Sequence, residues 1–349
     1  MAILCSSGTT GLPKAVCMAN YILIHFIDMP IYTSEVVTFS YSGLDWSSGL
    51  IQMLLSMAIG CTRIITNRPH NTKDLVEMIE KYKMNAVVLA ARQVSELVDY
   101  PLVNSERLAS LRSVLIGGSS LSTRTLVKME QLAKSALLYF VYGTTESGGV
   151  TASFSTKKFG NTVGKLIPGT RVRIVSDEGV NLGPKDIGEI YIHNGHQQWL
   201  GYYGNPLQTQ KTFDSESWFH TGDLGYFDED NNLYIVDRKK DIFKCKGFHY
   251  WPSQIEDVIA EMPDVQEVCV VGIYDERIGD APAAMVVPRK GALIDEDHIK
   301  QHVANVLVAD YLQLHGGVYF ADALPQNNND KIIRREVKEA IIKAKQSVK

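Results

Sequence analysis

Between Asn71 and Gly143, stretches with apolar residues at helical spacing alternate with short, wholly apolar runs. A strand wetted on one face alternates polar and apolar residues, so uninterrupted runs mark strands buried on both faces, as in a parallel sheet covered by crossover helices. The runs are Ala86 to Ala90, Val114 to Ile116 and Leu137 to Val141. Alternating with them are Asp74 to Tyr82, with Leu75, Val76 and Ile79 on one face, and Leu126 to Leu132, with Ser122 placed to cap its N-terminus. The pattern predicts an α/β architecture. After Val150, short alternating segments broken by Gly and Pro take over, among them Arg171 to Val175, Glu189 to His193 and Leu233 to Val236, and these predict a small antiparallel β unit. From near Lys240 an α+β unit is expected. Its elements are a helix from Ser253 to Glu261, strands Val268 to Val271 and Ala284 to Val287, a helix from Asp295 to Val308, a strand Val318 to Phe320 and a basic helix from Arg334. The charged stretch Asp237 to Asp241 marks the boundary, and at ~100 to 200 residues per domain the 349 residues fit two or three domains.

Charge and cysteine usage exclude several classes. Asp and Glu number 39 against 35 Lys and Arg, so no basic surface suits nucleic acid or anionic lipid. The five cysteines (Cys5, Cys17, Cys61, Cys245, Cys269) form no CxxC pair, which fits a reducing compartment better than a disulfide framework or a zinc finger. The longest apolar stretch, Gly49 to Cys61, is interrupted by Gln52 and Ser56 and falls short of the ~20 residues of a spanning helix. No transmembrane segment and no secretion signal are expected, so the default location is intracellular and cytoplasmic.

Three segments rich in glycine and hydroxyl residues follow apolar runs. Ser6-Ser7-Gly8-Thr9-Thr10-Gly11-Leu12-Pro13-Lys14 follows the apolar Ile3-Leu4. Its glycines leave backbone N–H groups open to a polyphosphate, its hydroxyls donate to phosphate oxygens, and Lys14 adds a point charge. Pro13 and Ala15 flank that lysine, so this is no Walker A loop, and a generic P-loop phosphotransferase is disfavoured. Tyr142-Gly143-Thr144-Thr145-Glu146 follows the run Leu137 to Val141 and, standing alone, is a strand-end turn with a solvated glutamate. Gly117-Gly118-Ser119-Ser120-Leu121 follows a buried run, and its small residues let a flat ring approach the backbone. Taken singly, each also reads as a turn at a strand end. His298 and His302 stand one helical turn apart, but no third metal ligand accompanies them and a solvated helix face is the better reading. Asp228, Asp230 and Asn232 mimic an EF-hand start, with Leu233 where glycine is needed and Lys239 where glutamate is needed, and read as a hairpin turn.

In this order the segments resemble the adenylate-forming superfamily of acyl-CoA synthetases, 4-coumarate-CoA ligases, peptide-synthetase adenylation domains and beetle luciferases, nearest to the luciferase-like and 4-coumarate-CoA ligase-like branch. The resemblance covers essentially the whole chain and adds further matches. Ser6 to Lys14 is similar to the family's phosphate loop. Gly117, Gly118 and Ser119 match the lining of the adenine and acyl pocket, and Tyr142 with Gly143 and Thr144 the adenine-stacking segment. The resemblance implies that Thr145 touches the α-phosphate and Glu146 binds Mg²⁺. Asp223, in Trp218-Phe219-His220-Thr221-Gly222-Asp223, matches the aspartate that accepts from both ribose hydroxyls, and Arg238 the arginine at the ribose. Lys240 matches the interdomain hinge, Gly247 in Lys244-Cys245-Lys246-Gly247-Phe248 the thiol channel, and Lys331 the lysine bridging substrate carboxylate and α-phosphate.

The implied fold is α/β: a partial adenylate-forming large domain of parallel α/β sheet layers plus a small antiparallel β-barrel, followed by a mobile α+β C-terminal domain. The implied bounds are 1–150, 151–239 and 240–349, with the hinge near 238–241. The implied function is ATP-dependent activation of a fatty or aryl carboxylic acid to acyl-AMP and its transfer to coenzyme A, with ATP/AMP, Mg²⁺ and coenzyme A as cofactors. The particular acid, light emission and oligomeric partners stay open. Family members carry a further stretch on the order of 100 to 200 residues before the phosphate loop. Ala15, Phe140-Val141, Asp330 and the histidine-free Asp45-Trp46-Ser47-Ser48-Gly49 depart from the family pattern. They keep open a second reading, a catalytically impaired or dead binding or regulatory relative, or an N-terminally truncated isoform. On that reading Ile3-Leu4 is an unpaired apolar edge, ATP binds weakly, and residues 5 to 14 exchange amide hydrogens readily. Peroxisomes are a family possibility, but the terminal Ser347-Val348-Lys349 is not their usual signal.

Overall fold

Residues 2–6, 14–20, 31–119, 121–154, 162–193, 200–327 and 331–347 are described by the structure, a computed structural model. The chain divides into two units, Met1–Leu121 with Thr125–Ile235, and Ser122–Arg124 with Val236–Lys349.

In the first unit, β1 (Ala2–Ser6) and β2 (Lys14–Met18) form an antiparallel pair. There follow β3 (Val37–Ser40), α1 (Ser47–Ile59), β4 (Thr62–Ile64), α2 (Thr72–Tyr82), β5 (Ala86–Ala90), α3 (Ala91–Asp99), β6 (Ser113–Gly117) and α4 (Thr123–Leu132). Then come β7 (Leu137–Thr144), β8 (Gly148–Phe154), β9 (Thr162–Leu166), β10 (Arg171–Val175), β11 (Gly188–His193), α5 (Pro206–Thr212), β12 (Phe219–Phe227) and β13 (Leu233–Arg238). Among the described residues β4-β3-β5-β6-β7-β8-β9-β13-β12-β11-β10 follow one hydrogen-bonded path. The pairs from β4 to β7 are parallel, and β7 with β8, β8 with β9, β9 with β13, and β10 with β11 with β12 are antiparallel. The antiparallel strands thus run on directly from the parallel ones.

The wholly apolar runs become the central strands because both their faces are covered. Val87, Leu89, Val114 and Ile116 pack with Leu75, Val76 and Ile79 of α2, Val94 and Leu97 of α3, and Leu126 and Met129 of α4. On the other side Ala86, Leu115 and Tyr139 pack with Ile51 and Leu55 of α1 and with Leu4 and Met18. Asn71 starts α2 by accepting from the Asp74 N–H at 3.1 Å. Ile3-Leu4 is paired on one side: the β1/β2 register sets Ile3 opposite Cys17 and Leu4 opposite Val16, satisfying the backbone groups that face β2. The apolar stretch from Gly49 forms most of α1, and among the described residues no helix is long and apolar enough to cross a membrane.

The second unit holds β14 (Phe243–Cys245), β15 (Phe248–Tyr250), α6 (Pro252–Ala260), β16 (Val265–Asp275), β17 (Gly279–Pro288), α7 (Glu296–Val306), β18 (Gly317–Phe320) and α8 (Arg334–Ser347). Strand order is β15-β14-β17-β16, with β18 parallel to β17. Ile255 and Ile259 of α6 and Ile299 and Val303 of α7 cover Val270, Ala284 and Val286. Val337 and Ile341 of α8 cover Cys269, Val271, Ala283 and Met285 on the opposite face. Alternate residues of β16 therefore enter different cores, which is why the strand is apolar throughout its middle.

Candidate functional site

The glycine- and hydroxyl-rich connection is framed by the β1/β2 hairpin, whose last pair sets Ser6 opposite Lys14. Ser7, Gly8, Thr9, Thr10 and Gly11 lie outside the described residues. Along β2, the Cys17 N–H donates to Gly201 O at 3.0 Å and the Tyr203 N–H donates to Ala15 O at 2.8 Å. This pairing puts the Tyr202 ring beneath Lys14, with Nζ 5.0 Å from the ring centroid.

Tyr142 to Glu146 occupy the end of β7 and the turn into β8. A register shift falls between Tyr142 and Gly143. A Cβ on Gly143 would stand 2.2 Å from Gly148 O, so the close backbone approach itself requires glycine there. Thr144 is spent on the turn: its Oγ1 accepts from the Ser147 N–H at 3.1 Å and lies 2.9 Å from Ser147 Oγ. Thr145 follows in the turn, half-buried. Glu146 is 9% exposed, and its Oε1 accepts from the Tyr202 hydroxyl at 2.8 Å. Burial, and then the Glu146 charge, push the Tyr202 hydroxyl far above the usual tyrosine range and keep it a donor.

Asp223 is 5% exposed and is presented by an irregular stretch of β12. Glu189 pairs with Leu224 while Tyr191 pairs with His220, so extra β12 residues bulge between them. Gly222 turns the bulge at φ +71°, its N–H donating to Glu189 Oε1 at 3.1 Å. Thr221 Oγ1 donates to Ile190 O at 2.7 Å and accepts from the Asp223 N–H at 2.9 Å. The Asp223 carboxylate accepts from the Tyr142 hydroxyl at 2.8 Å. Gly117 ends β6, with Gly118 and Ser119 exposed beyond it. β6 and β7 are parallel, so Gly117 to Ser119 and Gly143 to Glu146 leave the carboxyl ends of neighbouring strands, where open α/β sheets bind ligands.

In the second unit, Lys239–Asp241 form a 3₁₀ turn that includes Lys240. Asp237 precedes it, accepting the N–H groups of Arg238 at 2.8 Å and Ser253 at 3.1 Å, and so ties Arg238 to the start of α6. Gly247 sits in the two-residue turn joining β14 to β15. Lys331 closes a short loop, its N–H donating to Asn327 Oδ1 at 3.1 Å while its carbonyl accepts from the Asn327 N–H at 3.0 Å. Gln326 pairs with Ile332 across that loop, and Asp330 lies outside the described residues.

A magnesium ion takes oxygen ligands and is usually held by one or two carboxylates, the rest being water and substrate phosphate. Glu146 fits that donor set, since a carboxylate offers about four lone-pair sites and the Tyr202 bond occupies one. Among the described residues no group of three or more His, Cys, Asp or Glu side chains forms a cage for another kind of metal. His302 Nε2 lies 3.2 Å from Val258 O and His298 pairs with Asp295, in keeping with an ordinary helix surface. Asp228 accepts from the N–H groups of Asp230 and Asn232, the hairpin turn that the sequence suggests.

Sequence reasoning missed Tyr202, Thr221 and Glu189. Tyr202 carries a usable signal, an aromatic pair within Gly201-Tyr202-Tyr203-Gly204-Asn205-Pro206, where glycine and proline mark a constrained turn. Thr221 and Glu189 act through a bulge that only the strand register reveals.

A family model described as AMP-binding enzyme matches residues 1–203, and one described as AMP-binding enzyme C-terminal domain matches residues 254–331. A 4-coumarate-CoA ligase from Oryza sativa subsp. japonica is 31% identical over 95% of this chain and 62% of its own length. A 4-coumarate-CoA ligase from Narcissus pseudonarcissus is 31% identical over 95% of this chain and 63% of its own. The chain therefore spans a little under two thirds of these curated relatives. Among solved structures, ATP-bound MatB from Rhodopseudomonas palustris aligns with a TM-score of 0.87 at 25% identity, covering 97% of this chain and 67% of that one. The amide bond synthetase McbA from Marinactinospora thermotolerans aligns with a TM-score of 0.84 at 26% identity, covering 95% and 68%.

Proposed function

The chain belongs to the AMP-binding, adenylate-forming superfamily, and from that premise we propose that it is a 4-coumarate-CoA ligase-like acid-CoA ligase, which activates a carboxylic acid, fatty or aryl, with ATP and passes the acyl group to coenzyme A. The observation that supports this most is the 2.8 Å bond from Tyr142 to Asp223, which joins two nucleotide motifs lying 81 residues apart at the carboxyl end of the sheet.

In the first half-reaction a carboxylate oxygen of the acid attacks the α-phosphorus, the bond to the β-phosphate breaks and pyrophosphate leaves. In the second the deprotonated coenzyme A sulfur attacks the acyl carbon, and the acyl-oxygen bond breaks to release AMP. Ser6 to Gly11 and Lys14 would hold the outer phosphates, Thr145 the α-phosphate, Gly117 to Ser119 and Tyr142 to Thr144 the adenine, and Asp223 with Arg238 the ribose. Buried dipoles and charges fixed in advance do not have to reorganise as negative charge moves onto the leaving pyrophosphate, and this is the main source of rate in such a site. Magnesium, held by Glu146, would offset charge on the phosphate oxygens. Lys331 would serve the first half and Gly247 the second, with Lys240 the hinge between them.

The second reading, a relative that holds nucleotide without turning it over, draws on Asp330, which sets a negative charge beside Lys331. Acid-dependent ATP–pyrophosphate exchange over a panel of fatty and aryl acids separates the two. Exchange with some acid, abolished by Lys331→Ala while thiolation of supplied acyl-AMP persists, is the expected result. No exchange with any acid, from a chain that still binds ATP, would leave the second reading standing.

A further inference from the structure

Tyr202 touches two charged groups of the first unit, Glu146 and Lys14, to which the reading above assigns the metal and the outer phosphates. Its hydroxyl donates to Glu146 at 2.8 Å and its ring carries Lys14 Nζ 5.0 Å from the centroid. The side chain is 7% exposed, and its backbone is fixed on two sides. The flanking Gly201 and Tyr203 bond to β2, and the Tyr202 N–H donates to Thr209 Oγ1 at 3.0 Å, in the middle of α5. Asn205 in turn caps α5 by accepting from the Gln208 N–H at 3.1 Å.

We propose that Tyr202 is a positioning residue for the metal–nucleotide, one rigid side chain that sets the Glu146 carboxylate and the Lys14 ammonium at fixed places on either side of the phosphates. The inference rests on the AMP-binding reading given above. Glutamate has three side-chain torsions and lysine four, so left alone each would sample many positions, and ordering them on nucleotide binding would cost entropy. A phenol has two, both stopped here by packing. The hydroxyl orients the carboxylate toward a cation in the way outer partners orient metal ligands, and the ring face attracts the ammonium without neutralising it. Tyr202 contacts no reacting atom in this scheme; it acts through Glu146 and Lys14.

The test uses the full chain with Tyr202→Phe, Tyr202→Ala and Glu146→Gln, and Mn²⁺ as a spectroscopic probe. ATP affinity is measured with EDTA and with Mn²⁺, and bound Mn²⁺ is followed by electron paramagnetic resonance. Tyr202→Phe keeps the ring and loses the hydroxyl, so Mn²⁺–ATP binding should weaken about 10-fold or more, while metal-free ATP binding stays within about twofold of wild type because the lysine platform survives. Tyr202→Ala should weaken both. In the Glu146→Gln background Tyr202→Phe should cost nothing further in Mn²⁺–ATP affinity, the mark of a residue acting through Glu146. Unchanged Mn²⁺–ATP affinity in Tyr202→Phe, or an equal loss with and without metal, would overturn the proposal. A wild-type chain that binds ATP in neither condition would instead overturn the AMP-binding reading, and this inference with it.

Discussion

Arg334 stands at the first turn of α8, three residues beyond Lys331, and its replacement by methionine tests how the second unit is held together. Its guanidinium grips both oxygens of Glu256 in α6, through Nη1 to Oε1 and through Nη2 to Oε2 at 2.8 Å. Nη1 also donates to Val270 O at 2.8 Å, and Glu256 Oε1 accepts from the Val270 N–H at 2.7 Å. One ion pair thus ties α6, β16 and α8. With side chains only 28% and 17% exposed, Arg334→Met leaves Glu256 charged, largely buried and with a single backbone donor. Removing one partner of a buried pair costs about 3–5 kcal/mol, and partial water access at Arg334 places the expectation near the lower end, about 3 kcal/mol. At roughly 4–8 °C per kcal/mol for a unit of this size, the second unit's transition should fall by about 12–24 °C in scanning calorimetry of the full chain. The amides of Lys331 to Ile333, which precede α8, should exchange faster. The double variant Arg334→Met/Glu256→Met should be no less stable than Arg334→Met alone, because the stranded charge is gone. A single variant within about 0.5 kcal/mol of wild type would show a pair already solvated and refute the reasoning.

Two further outcomes follow from the first unit. Hydrogen bonding from His70, and then from Arg92, holds the Glu96 carboxyl at about 2 against an ordinary 4.5 despite its burial. A depressed carboxyl stabilises the fold above its unfolded value, so the contribution should be full above about pH 4.5 and vanish as pH falls toward 2. The urea midpoints of wild type and Glu96→Gln should therefore differ at neutral pH and converge through that window, and a gap that stays constant would contradict the assignment. Gly143→Ala places a methyl 2.2 Å from Gly148 O. It should cost about 1–3 kcal/mol by overpacking and weaken ATP binding with it, whereas an unchanged urea midpoint would show that the β7/β8 turn gives way without strain.

Much of the fold was legible because its cause is local. Leu75, Val76 and Ile79 share a helical face whatever surrounds them, and the apolar runs at β5, β6 and β7 require cover on both sides. Two of the three helices that escaped did so for definite reasons. α3 begins at Ala91, directly after β5 ends at Ala90, so its period merges with the strand's. α1 buries polar Gln52, whose Nε2 donates to the Tyr32 hydroxyl at 3.3 Å and Thr38 Oγ1 at 3.2 Å, partners that no periodicity foretells. β16 runs from Val265 to Asp275, well beyond the expected Val268 to Val271, because pairing with β17 carries Val265 and polar Glu267 at one end, the register shifting between them at Gln266, and Tyr274 and Asp275 at the other.

The sequence by itself determined which chemical groups are present and in what order: the hydroxyl and glycine loop closed by Lys14, Glu146 after its strand, Asp223, and Lys331 near the end. Those are properties of short segments, and local chemistry and strand period suffice to read them. Only the tertiary structure decided what holds them. Tyr202 reaches Glu146 across 56 residues, Tyr142 reaches Asp223 across 81, and Arg334 reaches Glu256 across 78. The physical reason is that a buried polar group must find a partner wherever the chain brings one, and the register and bulges of the sheet, which no local pattern encodes, choose that partner.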